Sequence, residues 1–570
     1  MKMTRTAAAA AAAALLLATA LTACSGGNNG NPASPGSSAP AEAVASETAP
    51  GTDPAAGNAD PFGKYDPPIE VTAIRPYDEN TKFLEGQSAE DNEWTRLYAE
   101  RLGIDIKFAW TFQGPLDQYN QKLNVAIASN DLADIVVVNA NQLKQLVEAG
   151  QVEDLTETFD RYASPYVKET MNSDGGLSLK SGTFDGKLMA LPRIGSDIDE
   201  VPLLWVRTDW LQKLNLPEPK TMADVLAISD AFTNRDPDGN GKADTFGLAL
   251  SKDLNGGFPG FEGFLNGYHA YYNMWLKDSS GKLVNSNIQP EMKTALAELQ
   301  KLYQAKQIDK EFGTKDGNKV AESVTNGKIG MYYGLMWTPL WPLQGGKDLD
   351  PGMQWQSYPI LSADDRPVKA QVPFSVNQYY VVKKGAKNPE AAVKMMNLWF
   401  DVRFDNVTQE SEETYGATKD GIEVFKHAIV AGAPMTYNMD KYKAVTPVLE
   451  TKDPSGLKPD VKAIYDDILR LRDGDNKGWG MERVFGPSGS FVVIENYVKQ
   501  DAILRNEFYG SPTETMGEKG STLDTLLKET FTKIIMGAAP IDEFDKFAEN
   551  WKKLGGDQIT QEVNEWYARQ

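Results

Sequence analysis

Between residues 69 and 148 the apolar positions recur first with the period of a strand and then with that of a helix, a pattern few architectures satisfy. Residues 69–74 read as a strand. Residues 91–102 place Trp94, Leu97, Tyr98 and Leu102 on one helical face. Residues 104–110 alternate strictly, with Ile104, Ile106, Phe108 and Trp110 on one side of a second strand. A helix over 116–127 turns Tyr119, Leu123, Ala126 and Ile127 inward. Residues 134–138 form a short apolar run of the kind buried on both faces of a parallel sheet, and a helix over 141–148 closes the unit. Such alternation predicts a doubly wound α/β lobe. Ligands of these sheets bind beyond the carboxyl ends of the strands, which makes Trp110, Gln113 and Asn139 site candidates. A packing or turn role is the competing reading of each.

A Pro/Gly-marked crossing around 188–195 and a fresh strand opening at Leu203 predict passage into a second lobe. Thr221 and Asp224 approximate a capping box for a helix over 221–232. On a helix Phe261, Phe264, Tyr268, Tyr271, Tyr272 and Trp275 would share a face suited to a core, with His269 off it. An amphipathic helix over 291–304, a re-crossing strand in 327–337 and a strand over 378–382 follow. Asn388 and Pro389 then start a helix, and helical stripes over 523–535 and 544–554 complete the chain.

The sharpest local motif runs from Asp236 to Asp244. Oxygen-bearing side chains at positions 1, 3, 5 and 9, with Gly at 6, match the first three quarters of an EF-hand calcium loop. Position 12 is Gly247 in place of the bidentate Glu. The expectation is a structural Ca²⁺ held by Asp236, Asp238, Asn240, Asp244 and the carbonyl of Lys242. A distant carboxylate completes the shell or the site is weak; a metal-free Asp/Asn/Gly turn is the alternative.

Charge and the amino terminus bound the function. Of 570 residues 58 are Lys or Arg and 79 Asp or Glu, a net −21, which speaks against a nucleic-acid partner. Two histidines (His269, His427) and one cysteine leave little for zinc, His-based catalysis or a disulfide. Lys2 and Arg5 precede an uncharged stretch over 7–20. As a helix it spans about 21 Å against a hydrocarbon core of roughly 30 Å, so it reads as an export signal and not a span. Leu21-Thr22-Ala23-Cys24 resembles a bacterial lipobox, which makes 1–23 a signal peptide and Cys24 the lipid-bearing first residue. An ordinary secretory signal with a chance cysteine is the alternative. Cleavage removes two positive charges and leaves −23. Residues 24–65, rich in Gly, Ser, Asn, Pro and Ala, predict a disordered tether with a reach of roughly 35 Å.

Further blocks stand in one order along the chain: SNDLADIVVV at 129–138, LLWVRTDWLQKLNLPEPKT at 203–221, DPDGNGKADTFGL at 236–248, GKIGM at 327–331, VVKKGAKNPEAAVKMMN at 381–397 and IIMGAAPIDEFDKFAENWKKLGGDQITQEVNEWY at 534–567. With the lipobox, they make nearly all of 66–570 similar to the extracellular solute-binding lipoproteins of carbohydrate ABC transporters, in the long branch common in Gram-positive bacteria. Asn130 and Ala133 depart from that family, standing where Gly and Pro are usual. The resemblance implies two doubly wound α/β lobes joined by a hinge, the type II periplasmic-binding-protein-like class. One lobe would comprise 66–190 and 333–375, the other 195–332 and 377–570.

The resemblance also implies a monomer without catalytic activity on the extracellular face of the cell membrane, tethered by a palmitate-bearing diacylglycerol on Cys24. It would capture a sugar or oligosaccharide between its lobes and deliver it to ABC transporter permease subunits, and the resemblance gives the calcium loop further support. A ligand that bridges both lobes shifts the population toward the closed state. Sugars call for flat aromatic faces and planar polar groups. The candidates are Trp110, Gln113, Asn139, Arg193, Trp205, Arg207, Trp275, Trp337 and Tyr379. Trp205 and Trp275 suit a core equally well, and Arg207 beside Asp209 suits a structural ion pair. The rival functions are a surface glycoside hydrolase using two carboxylates and a polysaccharide-binding adhesin.

Overall fold

The computed structural model describes residues 59–570 except Ala417 and Asp420. The export signal, Cys24 and most of the tether lie outside the described residues. Nine strands build two main sheets: β1 (Ile69–Tyr77), β2 (Ile104–Gln113), β3 (Ile135–Val138), β4 (Leu191–Pro192), β5 (Leu203–Arg207), β6 (Phe246–Leu248), β7 (Ile329–Gly334), β8 (Trp355–Tyr358) and β9 (Tyr379–Val382). Their orders are β2-β1-β3-β9-β4 and β8-β5-β7-β6.

In the first sheet β1 runs parallel to β2 and to β3, as the strand–helix alternation requires. The helix Leu116–Ala128 crosses between β2 and β3 and buries Tyr119, Leu123, Ala126 and Ile127, the face expected of it. Asn130, at the turn into β3, takes φ 54°, a left-handed conformation that asparagine tolerates better than most residues. β9 arrives from far along the chain, with no helical crossover to align it, and pairs antiparallel with β3, Tyr379 opposite Val138. The second sheet is mixed: β5 is antiparallel to β7 and β8, while β6 is parallel to β7.

Each sheet anchors its own core. One core takes residues from Val71 to Ile194 and from Val376 to Val430; the other runs from Ile198 to Val372 and from Met439 to Val563. The chain therefore crosses between lobes near 195–197, 373–375 and 431–438. This corrects the expected boundaries. Residues 333–375 belong to the second lobe, because Tyr333 lies in β7 opposite Leu204 and β8 pairs with β5. Residues 377–430 belong to the first lobe through β9 and the helix Glu390–Phe400. The strand in 327–337 is thus internal to the second lobe and makes no crossing.

Local expectations fare unevenly. The capping box forms: Thr221 Oγ1 accepts from Asp224 N at 3.2 Å, and Asp224 Oδ2 accepts from Thr221 N at 2.9 Å. The helix Glu390–Phe400 has no side-chain cap from Asn388. The aromatic stretch is helical only over Glu262–Gly267, since His269 and Asn273 take φ 59° and 54°. Phe261, Phe264, Tyr272 and Trp275 still enter the core. Among the described residues no helix is long and apolar enough to cross a membrane.

Candidate functional site in the cleft

Where the crossings meet the second lobe they enclose a cavity of about 310 Å³. Glu200 and Pro202 follow the first crossing, Pro373 and Phe374 belong to the second, Leu335 follows β7, and Glu262 and Asn506 come from the body of the lobe. The wall between 255 and 260 is glycine-rich for steric reasons. Gly256 has φ 137°, and a side chain at Gly257 would strike the Trp337 ring. The backbone thereby runs close beneath an indole. Trp337 stacks on Trp341 with centroids 6.3 Å apart and planes at 27°. Phe258 meets Trp341 edge-on at 5.5 Å, and Trp341 remains 45% exposed. Trp337 and Trp341 form an apolar platform that reaches the cavity through Gly257.

The polar groups divide into engaged and available. Gln371 Oε1 accepts from Asn266 Nδ2 and Tyr272 N at 2.9 and 2.8 Å, and its Nε2 donates to Tyr272 O at 3.0 Å. That amide is structural. Asn506 Oδ1 accepts from Trp275 N and Phe508 N at 2.9 and 3.2 Å, which holds the side chain while no described residue takes up its Nδ2. Glu262 Oε1 accepts from Gly256 N at 3.2 Å. Behind the wall, Arg505 Nε donates to Asp197 Oδ2 at 2.6 Å and Asn438 Nδ2 to Asp199 Oδ2 at 2.7 Å. The Oδ1 atoms of Asp197 and Asp199 are buried with no partner among the described residues.

Burial pushes the carboxyls of Asp199 and Glu262 each up to about 7. The folded chain therefore holds both protonated at pH values where the unfolded chain has released the protons. Their contribution to stability is complete below about pH 4 and is lost as pH rises through 7. The melting temperature should fall by about 5 °C between pH 5.5 and 8, and Glu262→Gln should flatten that slope. Scanning calorimetry across this range checks it; a melting temperature that rises with pH contradicts it.

The structure distributes the sequence candidates widely. Trp337 packs behind Gly257, a residue of the cavity wall, and Arg193 lies exposed beside the first crossing, donating to Gln378 Oε1 at 2.6 Å. Trp110 is half-buried at the carboxyl end of β2, tilted against Tyr119 at 5.7 Å with Lys122 Nζ 4.1 Å above its ring. Gln113 donates to Glu79 O and Thr81 O at 3.1 and 2.8 Å. Asn139 caps the helix Ala140–Glu148, accepting from Gln142 N at 2.9 Å, so it follows its turn reading.

Four candidates are corrected. Trp205 and Trp275 are core residues, 0% and 6% exposed, and Tyr379 is buried in β9. Arg207 is buried and turned to Asp209, with Nε and Nη2 donating at 2.8 and 2.6 Å. Residues missing from the candidate set are Glu200, Glu262, Phe374, Asn506 and Trp341. The glycines at 256, 257 and 260 and the second Trp four residues after Trp337 were the available signals.

The acidic loop closes on an internal cation. Lys328 Nζ lies 2.7 Å from Asp244 Oδ2 and 3.3 Å from Asp238 Oδ2. Asn240 Nδ2 donates to Asp238 Oδ2 and Asp244 Oδ1 at 2.7 and 3.1 Å. Asp236 accepts from the backbone N–H groups of Asn240 and Gly241, both at 3.0 Å, and the Lys242 N–H donates to Asn240 Oδ1 at 2.7 Å. Among the described residues no three Asp, Glu, His or Cys side chains are grouped to hold a metal. The donor chemistry suits a hard cation, and the ammonium of Lys328 stands in for one.

Residues 84–401 match the family described as bacterial extracellular solute-binding protein. The chain is 26% identical over 459 residues to the polygalacturonan/rhamnogalacturonan-binding protein YtcQ of Bacillus subtilis (strain 168), covering 78% of this chain and 82% of that protein. Its fold is similar to that of the alginate-binding protein AlgQ2 determined without calcium ion, with a TM-score of 0.62, 17% identity, and 90% and 100% of the two chains covered. It is also similar to the S. pneumoniae ABC-transporter substrate-binding protein FusA in complex with kestose, with a TM-score of 0.61, 17% identity, and 88% and 99% covered.

Proposed function

Because this chain belongs to the family of bacterial extracellular solute-binding proteins, we propose that it captures a sugar or oligosaccharide in the cleft between its lobes and passes it unaltered to ABC permease subunits. The observation that carries the reading is the Trp337–Trp341 pair, which reaches through the Gly257 wall to a cavity of mixed polar and apolar lining at the crossings. Indole faces cover the C–H faces of a sugar, and Asn506 and Glu262 serve its hydroxyls. The names of YtcQ and FusA, which specify polygalacturonan/rhamnogalacturonan and kestose, support the same ligand class. Cys24 is the proposed point of lipid attachment, which would hold the protein at the extracellular face of the cell membrane. Calorimetric titration with an oligosaccharide panel, followed by mass spectrometry of the recovered sugar, tests the function. One-to-one binding with intact sugar is expected; cleaved product would favour the hydrolase.

The acidic loop is a proposed structural calcium site, with Asp236, Asp238, Asn240, Asp244 and the Lys242 carbonyl as ligands. Calcium would neutralise the carboxylates and brace the connection between the helix Met222–Asn234 and β6. Lys328 already supplies one positive charge there. Saturating calcium should raise the melting temperature by about 5 °C, chelator should reverse it, and Lys328→Met should enlarge the shift. Identical melting with calcium and with chelator in both proteins rejects the site.

A further inference from the structure

The cavity has a one-sided electrostatic character. Glu200 and Glu262 line it, and no Lys, Arg or His does so among the described residues. Asp197 and Asp199 stand behind the wall with one carboxylate oxygen each buried and unpartnered. The cations nearby are engaged or directed elsewhere. Arg505 binds Asp197, and Arg193 donates to Gln378. Glu262 is held in place by the Gly256 N–H and has no cation on it.

Resting on the sugar-binding reading, we propose that the cleft selects its ligand by charge: Glu200 and Glu262 admit neutral and amino-bearing sugars, favour the amino-bearing ones, and exclude uronates. A uronate carboxylate entering this cavity meets fixed negative charge in a medium that screens poorly, with no guanidinium or ammonium in the lining to receive it. A neutral sugar offers hydroxyl donors to the same carboxylates. An ammonium does so and also relieves the charge that burial makes costly, since burial, with a smaller push from Glu200, raises the Glu262 carboxyl. This separates the chain from the polyuronate binders YtcQ and AlgQ2, whose names specify acidic glycans.

The test is calorimetric titration at pH 7.5 with a panel holding neutral, amino and uronate members of the same glycan backbones, on the wild-type protein and on Glu262→Gln and Glu200→Gln. The expected result is binding of an amino member about tenfold tighter than its neutral counterpart, with the matching uronate weaker by about a hundredfold or more. Either Gln variant should narrow both gaps, each read as a ratio within one protein, whatever the variant costs the neutral sugar. Uronate binding equal to or tighter than the neutral member, or gaps unchanged in both variants, overturns the charge selection and leaves the sugar reading standing. Binding of no glycan in the panel overturns both.

Discussion

Trp205→Ala should cost about 3–5 kcal/mol of unfolding free energy and leave ligand affinity within about twofold. Trp205 sits in the middle of β5, opposite Tyr332 of β7 on one side and Ser357 of β8 on the other. Its ring stacks on Tyr332 with centroids 6.5 Å apart, and the residue is 0% exposed. Truncation removes a large buried surface and leaves a cavity inside a sheet whose backbone is fixed by both neighbours, so collapse into the space is limited. Trp205→Phe should recover part of the loss. Urea unfolding measures the change and titration at low temperature measures the affinity. A stable Trp205→Ala protein that no longer binds would return this residue to the ligand site.

Trp341→Ala is the converse. Affinity should fall by about 10- to 100-fold, the range expected from uncovering an aromatic face together with its stacking. Stability should change by no more than about 0.5 kcal/mol, because the residue is already 45% exposed. Trp337→Ala should also weaken binding, with a larger stability cost because Trp337 is packed against Gly257 and less exposed than Trp341. Unaltered affinity in both variants would remove the platform from the site. The contrast between Trp205 and Trp341 separates packing from recognition with the same side chain.

Periodicity made the two-lobe α/β fold legible because local burial writes it into the chain: β2 buries Ile104 and Ile106 and exposes Asp105 and Lys107. The boundaries were less legible. A strand such as β9 has the same apolar pattern whichever sheet it joins, and only the tertiary pairing with β3 assigns it. Aromatic residues misled for a related reason. Trp205, Trp275 and Trp337 look alike in sequence, and what distinguishes them is which face of which sheet lies above them. Arg207 carried its own answer two residues away in Asp209. Glu200, Glu262 and Asn506 had no pattern to announce them, since the cavity gathers single residues from segments as far apart in the chain as Glu200 and Asn506.

The central claim is that a sugar bridges two lobes that close on it, and small-angle X-ray scattering on the full chain tests it most directly. With the tightest oligosaccharide from the panel at saturation, the radius of gyration should fall and the distance distribution should lose its longest vectors, while Trp341→Ala at the same sugar concentration should move less. Superimposable profiles with and without a sugar that calorimetry shows to be bound would contradict the clamp.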